Sequence, residues 1–263
     1  MYDYCEAQEL EVDTLIHESG AAQMEINFLH GDAIDLADQV FLFKRTMREA
    51  AHRHGIYATF MAKPMSDEPG SAMHIHQSLE DAEGRNLFGT SEGGNSALFM
   101  HFIAGLQKYT PAVTALLAPN VNSYRRLTFG ESAPRNVQWG VENRTCGLRV
   151  PFSEPSARRV ENRFAGADAN PYLALAATLA CGYLGMLEKL EPMQEMKASA
   201  YDLPYSLPRS LEESLSHLEQ CEPIKDMLGE RFIRAFVAVK RKEYETYFGV
   251  ISRWEREFLL LNV

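Results

Sequence analysis

Alternation of apolar and polar positions marks four predicted strands in the first third of the chain. Residues 11–18 and 23–29 alternate on either side of a small turn and predict a hairpin. Residues 56–63, which Pro64 ends, and residues 71–80 are two further predicted strands. Because successive strand side chains point to opposite faces, each segment offers one face to a core and the other to solvent or to a site.

Helical spacing of apolar residues accounts for much of the remaining chain. Asp32 and Asn170-Pro171 are typical of helix starts, and Gly55 is typical of a helix end. The apolar run 172–187 is interrupted by two glycines and is too short for a membrane span, which favours a buried helix. The predicted helices are 32–54, 96–109, a short one from Thr110-Pro111, 172–187, 211–220, 229–247 and 250–260.

The segment 119–136 has no clear period and predicts an extended, turn-rich connection. Long connections of this kind inside a compact chain are often functional. Two predicted strands follow it, and they carry Arg144 and Arg149. The charged residues of the connection itself are Arg125, Arg126, Glu131 and Arg135.

Residues 157–164, ARRVENRF, predict a strand with an unusual charged face. Period two places Arg159, Glu161 and Arg163 on one face, opposite Val160, Asn162 and Phe164. One interpretation is a solvated antiparallel edge. The other is a site for a polyanionic substrate with a metal, because arginine donates in pairs to phosphate or carboxylate and a carboxylate suits Mg²⁺.

Two further groups of polar side chains are candidates for metal or ligand contacts. In a symmetric hairpin Glu18 lies opposite Glu25, a costly pairing of like charges unless a cation or a proton joins them. His74, His76 and Ser78 share one face of the strand 71–80. Surface carboxylates and ordinary hydrogen-bonded histidines remain the alternatives from the spacing alone.

Composition narrows the class of protein. The chain has 263 residues, 46% hydrophobic and 24% charged, which fits one large domain or two small ones with a substantial core. The net charge of −10 and the pI of about 5.3 argue against nonspecific nucleic-acid binding. A local basic pocket is still compatible with these values.

Cysteine spacing predicts reduced thiols in a cytoplasmic protein. Cys5, Cys146, Cys181 and Cys221 are separated by long, irregular gaps, unlike a disulfide framework or a zinc site. The acidic N-terminus lacks an apolar core, so no signal peptide is expected.

Several strings in this order resemble the catalytic domain of glutamine synthetases. They are HESGAAQMEINF, GSAMHIHQSL, NSYRRL, ENRTCGLRVP, ARRVENRF and ADANPYLALAATLA. The resemblance covers nearly the whole chain and implies an α+β fold, with an antiparallel sheet that forms part of a barrel and helices outside it. It further implies one catalytic domain over residues 1–263.

The resemblance implies an ATP-dependent carboxylate–amine ligase with two or more Mg²⁺ or Mn²⁺ ions. ATP would phosphorylate the γ-carboxylate of glutamate, and an amine would then displace phosphate. Phosphoryl transfer depends on positioned cations more than on covalent catalysis, which agrees with the arginine-rich stretch. The family forms stacked homo-oligomeric rings, and the implied partners are otherwise small molecules, with no nucleic acid and no membrane.

The resemblance also implies individual roles. It places Glu18 and Glu25 at one metal, and His74 with Glu161 at the second. It places His76 and Ser78 beside the nucleotide, and Arg126, Gly70 and Arg163 at the glutamate. Glu131 would stand in the flap as a catalytic residue. The arginines expected around the phosphates and the transferred phosphoryl group are Arg144, Arg149, Arg159 and Arg163.

This chain departs from the family pattern in three places. The family has an N-terminal β-grasp domain and a metal-binding E-x-E strand before the hairpin, so we expect an N-terminally truncated domain that is inactive alone. Pro69-Gly70 replaces the Asn-Gly of ammonia-using members. The family's flap glutamate aligns with Ser132, and Glu131 stands one place early.

The last two departures favour an amine other than ammonia, as in the γ-glutamylpolyamine or γ-glutamylputrescine synthetase branch. The alternatives are a glutamine synthetase proper and a catalytically inactive scaffold with the synthetase fold. Tyr201, in YDLP, matches the tyrosine that bacterial type I enzymes can have adenylylated. An unmodified loop tyrosine is the favoured interpretation.

Overall fold

The computed structural model describes residues 1–129 and 132–263 and has a mixed α+β architecture. Its strands are β1 (Val12–His17), β2 (Met24–Phe28), β3 (Ile75–Gln77), β4 (Trp139–Val141), β5 (Leu148–Val150) and β6 (Val160–Asn162). Its helices are α1 (Tyr2–Glu6), α2 (Ala33–Arg53), α3 (Ala97–Leu117), α4 (Val121–Phe129), α5 (Pro171–Leu187), α6 (Leu211–Gln220), α7 (Glu222–Leu228), α8 (Glu230–Phe248) and α9 (Arg253–Phe258).

The second sheet has the order β3-β6-β5-β4, with β6 inside it. Strand β6 pairs antiparallel with both β3 and β5, so the interpretation of ARRVENRF as a solvated edge is wrong. Val160 and Asn162 on one face of β6 are fully buried, and Glu161 on the other face is only 3% exposed. The expected antiparallel pairing fails at one place, because β4 and β5 are parallel.

The β1–β2 hairpin forms as predicted, but its register differs from the symmetric expectation. Ile16 lies opposite Glu25, and the Glu18 N–H donates to the Gln23 carbonyl at 2.9 Å. Glu18 and Glu25 are therefore diagonal neighbours rather than an opposed pair. Diagonal positions on one face lie roughly 7–8 Å apart, so the repulsion between the two carboxylates is weaker than predicted.

Helices α3 and α5 form the centre of the main core. A β-carbon on Gly105 would lie 2.2 Å from the Cys181 carbonyl oxygen, and one on Gly185 would lie 2.2 Å from that of His101. The absence of side chains at these positions lets the two helix backbones meet directly. Leu106 and Leu116 of α3 belong to the same buried cluster as the apolar side chains of β5 and β6.

Two predictions around α3 and α4 are wrong. Helix α3 continues through Pro111 instead of ending at Tyr109, although proline removes one helical hydrogen bond. Residues of α3 on both sides of Pro111 are buried, and their packing outweighs the lost hydrogen bond. The segment 119–136 contains helix α4, with Asn120 N–H bonded to the Ser123 hydroxyl at 3.0 Å.

The segment 56–63 is not a strand in the structure, contrary to the alternation of its side chains. Among the described residues it has no ladder partner, and Tyr57 is 93% exposed. Its Lys63 backbone is instead held by the side chain of Asn122, with bonds of 2.8 and 2.9 Å. Alternation alone cannot make a strand, since the ladder needs a second backbone.

The helix caps predicted at Asp32 and Asn170 are confirmed. Asp32 accepts from the N–H groups of Ile34 and Asp35, and Asn170 accepts from those that begin α5. Ser210 caps α6, but Glu213 accepts from the Arg209 N–H, so only half of a capping box forms there.

All four cysteines are free thiols, and burial raises the pKa of Cys5, Cys146 and Cys181. Across residues 1–129 and 132–263, no helix has the length and apolarity needed to cross a membrane.

Candidate active site

Glu161 lies at the centre of a cluster of charged side chains. Its Oε1 accepts a hydrogen bond from Arg163 Nη1 at 2.7 Å and lies 3.2 Å from His74 Nδ1. Its Oε2 accepts from Arg149 Nη1 at 2.8 Å. Strand pairing creates the cluster. Glu161 lies directly opposite Arg149 on β5, and it lies opposite His76 on β3, two residues from His74. A buried charge is tolerated when it is paired in this way.

The charges around Glu161 keep it ionised. Burial by itself raises its pKa, but the hydrogen bond to His74 and the Arg163 charge outweigh that effect and leave the pKa well below its ordinary value. Burial lowers the pKa of His74, so its ring is neutral near pH 7. Since an ionised carboxylate only accepts hydrogen bonds, we assign the His74 proton to Nδ1. Its Nε2 then presents a lone pair.

His76 has the opposite tautomer. Arg159 Nε donates to His76 Nδ1 at 3.2 Å, and burial lowers the pKa of His76 to about 4. A neutral ring that accepts at Nδ1 carries its proton on Nε2. Neighbouring histidines on one strand face therefore offer different groups: His74 a lone pair, as a metal ligand needs, and His76 a donor, as a phosphate or nucleotide needs.

Arg149 is shared between two carboxylates. Its Nη2 donates to Glu142 Oε2 at 2.8 Å, in addition to the Nη1 bond to Glu161. The hydrogen bonds from Arg149 and from the Phe152 N–H lower the pKa of Glu142 below its ordinary value. Glu142 lies within the arginine-rich stretch, but nothing in the sequence singles it out from its charged neighbours. Glu142 is therefore the main functional candidate that the sequence alone does not indicate.

Arg126 is buried on α4 and joins that helix to the segment that follows β6. Its two Nη atoms donate to the carbonyls of Phe164 and Arg163, each at 2.9 Å. These bonds use two of the five guanidinium donors. Burial lowers the pKa of Arg126 to about 10, and the charge of Asp168 opposes this shift. Arg126 thus stays cationic near pH 7.

Gly70 packs directly against Arg126. A β-carbon at Gly70 would lie 2.7 Å from the Ala62 carbonyl oxygen and 2.8 Å from Arg126 Cγ. Gln23 ties this loop to the hairpin, because its Nε2 donates to the Gly70 carbonyl at 3.0 Å. The structure therefore brings the predicted substrate-binding positions Arg126 and Gly70 together, with the hairpin as their neighbour.

Other predicted site residues lie apart from the cluster or outside the described residues. Arg144 is exposed in the turn between β4 and β5, not on a strand as expected, and its charge helps to lower the pKa of Glu142. Ser78 is exposed just after β3. Glu131 lies outside the described residues.

The donors expected for divalent metals have suitable chemistry but form no complete set. Within the described ranges, no group of three or more His, Cys, Asp or Glu side chains could hold a metal ion. Two protein donors per ion are compatible with Mg²⁺, which commonly keeps waters and binds substrate phosphates. Glu18 with Glu25, and His74 with Glu161, fit such partial sites.

Comparison with known proteins defines the family. The model of the glutamine synthetase catalytic domain matches residues 1–259. The chain is 40% identical to a glutamine synthetase of Pyrococcus abyssi, over 95% of this chain and 58% of that protein. It is 36% identical to the gamma-glutamylputrescine synthetase PuuA of Escherichia coli K12, over 99% of this chain and 56% of that protein.

A solved structure shares the fold. The structure described as apo GmaS without ligand superposes with a TM-score of 0.89 at 34% identity, covering 98% of this chain and 61% of that chain. The protein belongs to the glutamine synthetase catalytic-domain family, and the predicted α+β fold is confirmed. The chain spans a little over half the length of the curated relatives it matches.

Proposed function

We propose that this chain carries the C-terminal part of the active site of an ATP-dependent ligase that joins the γ-carboxylate of glutamate to an amine. The observation that carries the proposal is the cluster in which Glu161 is bonded to Arg149, Arg163 and His74. Such a cluster supplies cations held by a buried anion, which suits a reaction whose charge develops on phosphoryl oxygens.

The arginines have distinct proposed tasks. Arg149 and Arg163 would bind phosphate oxygens while Glu161 fixes their orientation. Arg159 and His76 would contact the nucleotide, with the His76 Nε2–H as the donor. Arg126 would hold the glutamate carboxylate, next to the loop of Gly70 that packs against its side chain. Arg144, Ser78 and Glu131 remain proposed members of the site on the resemblance alone.

Two metal sites belong to the proposal. Glu18 and Glu25 would hold one ion, and His74 with Glu161 would hold the other. When bound, these ions would neutralise phosphate charge. Because each site has two protein donors among the described residues, we propose that residues 1–263 belong to one catalytic domain whose metal sites need further donors for turnover. A homo-oligomer and a cytoplasmic location are further parts of the proposal.

An amine other than ammonia is the proposed acceptor. The similarity to a gamma-glutamylputrescine synthetase supports it, as does Pro69 in place of the asparagine expected in ammonia-using members. The chain combined with its N-terminal complement should form γ-glutamylputrescine faster than glutamine. Faster glutamine formation would assign the protein to ammonia instead.

A catalytically inactive protein with the same fold is the second candidate. The incomplete metal donor set among the described residues favours it for the isolated chain. The two candidates differ in ligand binding, because an inactive remnant needs no nucleotide.

Isothermal titration of ADP in the presence and absence of Mn²⁺ tests the site directly. We expect Mn²⁺-dependent binding by the parent chain and its loss in Glu161→Gln, which keeps the shape of the side chain and removes its charge. The matched control is Glu219→Gln, since Glu219 forms an ion pair with Arg241 at 2.6 Å on the helical surface. This variant should bind ADP as the parent chain does. A folded parent chain that binds no ADP would reject the proposed nucleotide site.

A further inference from the structure

Glu142 has an unusual position beside Arg149. Its Oε2 accepts from Arg149 Nη2 at 2.8 Å, and its Oε1 accepts from the Phe152 N–H at 2.5 Å. Its own N–H donates to the Val150 carbonyl at 3.1 Å. Both its backbone and its side chain are therefore anchored to the residues around the end of β5, the strand that carries Arg149.

The backbone of Glu142 is strained. Its φ is +50°, in the left-handed region that residues with a β-carbon rarely adopt. Strained conformations persist where surrounding contacts over-determine them. Here the surrounding contacts are the two hydrogen bonds that the carboxylate accepts from Arg149 Nη2 and from the Phe152 N–H. The strained backbone of Glu142 and its hydrogen bond with Arg149 therefore occur together.

The guanidinium of Arg149 depends on both carboxylates for its orientation. Glu161 holds Nη1 and Glu142 holds Nη2, while the buried Nε finds no hydrogen-bond partner among the described residues. With one carboxylate alone, the planar group can turn about its bond to that oxygen. Two carboxylates on different Nη atoms fix its plane.

We infer that Glu142 is a positioning residue, which holds the Arg149 guanidinium in the orientation that binds a phosphate group of the ligand. The inference rests on the proposed function for the identity of the ligand, but not for the restraint itself. Glu142 acts only through Arg149. Without it, the guanidinium must be ordered when the phosphate binds, and affinity falls by the cost of fixing one flexible side chain.

Comparison of Glu142→Gly with Glu142→Ala separates positioning from folding. Both variants lose the carboxylate, but glycine adopts a φ of +50° freely, whereas alanine, like glutamate, adopts it only at an energetic cost. We expect Glu142→Gly to melt about 2–4 °C above Glu142→Ala, as a relieved backbone predicts. We expect both to bind ADP with Mn²⁺ roughly three- to tenfold more weakly than the parent chain. In an Arg149→Ala background, Glu142→Gly should cause no further loss.

The controls make the outcomes distinct. Glu219→Ala removes a glutamate that is similarly exposed and ion-paired to an arginine, and should leave ADP affinity unchanged. If Glu142→Gly binds ADP as tightly as the parent chain, or more tightly, Glu142 is a turn residue or a competitor for Arg149, and the inference is wrong. The inference is also wrong if the loss persists in the Arg149→Ala background.

A second measurement needs no ligand. NMR of arginine-labelled protein reports how slowly the Arg149 guanidinium N–H groups rotate and exchange. Both Glu142 variants should lose the slow rotation of the parent chain, while Glu219→Ala keeps it. Unchanged rotation in Glu142→Gly would overturn the inference. If the parent chain shows slow rotation that the variants lose but binds no ADP, the proposed function fails and the restraint by Glu142 stands.

Discussion

The carboxylate of Asp168 accepts a hydrogen bond from the Ser123 hydroxyl at 2.6 Å and so fastens the first turn of α4 to the chain after β6. The same oxygen accepts from the Asn120 amide at 2.7 Å. Helix α4 carries Arg126, whose guanidinium returns to the same segment through the Arg163 and Phe164 carbonyls. Two sets of polar bonds thus fix one arginine relative to the cluster around Glu161.

Replacing Asp168 by alanine should destabilise the fold. The amide of Asn120 and the hydroxyl of Ser123 would lose their acceptor, and unpaired partly buried donors cost about 1–3 kcal/mol. Urea denaturation measures the change in the free energy of unfolding. Asp67→Ala, in an exposed loop, is the control and should change it by less than about 0.5 kcal/mol. Equal effects for both variants would show that the Asp168 bonds contribute nothing specific.

Lys44 should make stability depend on alkaline pH. Burial lowers its folded pKa to about 8, partly opposed by the Asp168 charge, while its ordinary value is 10.5. Between these values the unfolded chain binds more protons, so the free energy of unfolding rises with pH. The charged amine lowers stability below pH 8, and this cost disappears as pH approaches 10.5. The difference is up to about 3 kcal/mol.

Lys44→Met isolates this contribution from other alkaline titrations. The free energy of unfolding of the parent chain minus that of Lys44→Met should rise between pH 8 and 10.5, as measured by urea denaturation at each pH. The variant also loses the bond from Lys44 Nζ to the Ala169 carbonyl at 2.7 Å, an effect that shifts the difference equally at every pH. A difference that stays constant would place the folded pKa of Lys44 near its ordinary value.

Gly185→Ala should disrupt the contact between α3 and α5. The added β-carbon would lie 2.2 Å from the His101 carbonyl oxygen and 2.5 Å from Gly105 Cα, both backbone atoms that cannot move alone. Overpacking of this kind costs about 1–3 kcal/mol or more. Thermal and urea unfolding would measure the loss.

Gly249→Ala provides the matched comparison. A β-carbon there meets its nearest atom at 3.6 Å, an ordinary contact, and the backbone φ of −73° suits alanine. We expect a change within about 0.5 kcal/mol. If Gly185→Ala were as mild, the two helices would have room to separate without loss of packing.

Gly70→Ala should weaken the response to glutamate if the proposed substrate site is right. The β-carbon would push on Arg126 Cγ and on the Ala62 carbonyl, and small displacements of substrate-positioning groups cost roughly 10- to 100-fold. The shift in melting temperature caused by L-glutamate with ADP and Mn²⁺ would measure it. Gly31→Ala, where a β-carbon meets nothing within 4 Å, should keep the parent response. An unchanged response in Gly70→Ala would place glutamate elsewhere.

The sequence predicted best the features that depend on nearby residues. The caps at Asp32 and Asn170 are local and formed as expected, and the hairpin also formed, although its register differs from the symmetric one. The continuation of α3 through Pro111 and the formation of α4 within 119–136 depend on tertiary packing. This packing outweighs the local conformational preferences of the residues. The segment 56–63 alternates correctly but finds no partner backbone among the described residues.

In the candidate site, too, the sequence predicted the local features and missed those that depend on tertiary structure. The face shared by Glu161 and Arg163 follows from period two, and the structure places both in one cluster with His74. The partnership of Glu142 with Arg149 depends on a left-handed backbone angle, which no spacing rule indicates for glutamate. The register that separates Glu18 from Glu25 depends on the turn between them.

Strands β4, β5 and β6 follow one another closely in the chain, and this has a consequence for how the protein tolerates insertions. Glu142, Arg149, Glu161 and Arg163 all come from one continuous stretch, and among the described residues only His74 joins them from a distant part of the chain. An insertion elsewhere leaves the balance of charges among these four intact. A one-residue insertion within β5 or β6 shifts the register of that strand and turns the side chains that follow in it to the opposite face. Recombination between relatives should therefore preserve the centre when its breakpoints fall outside residues 142–163.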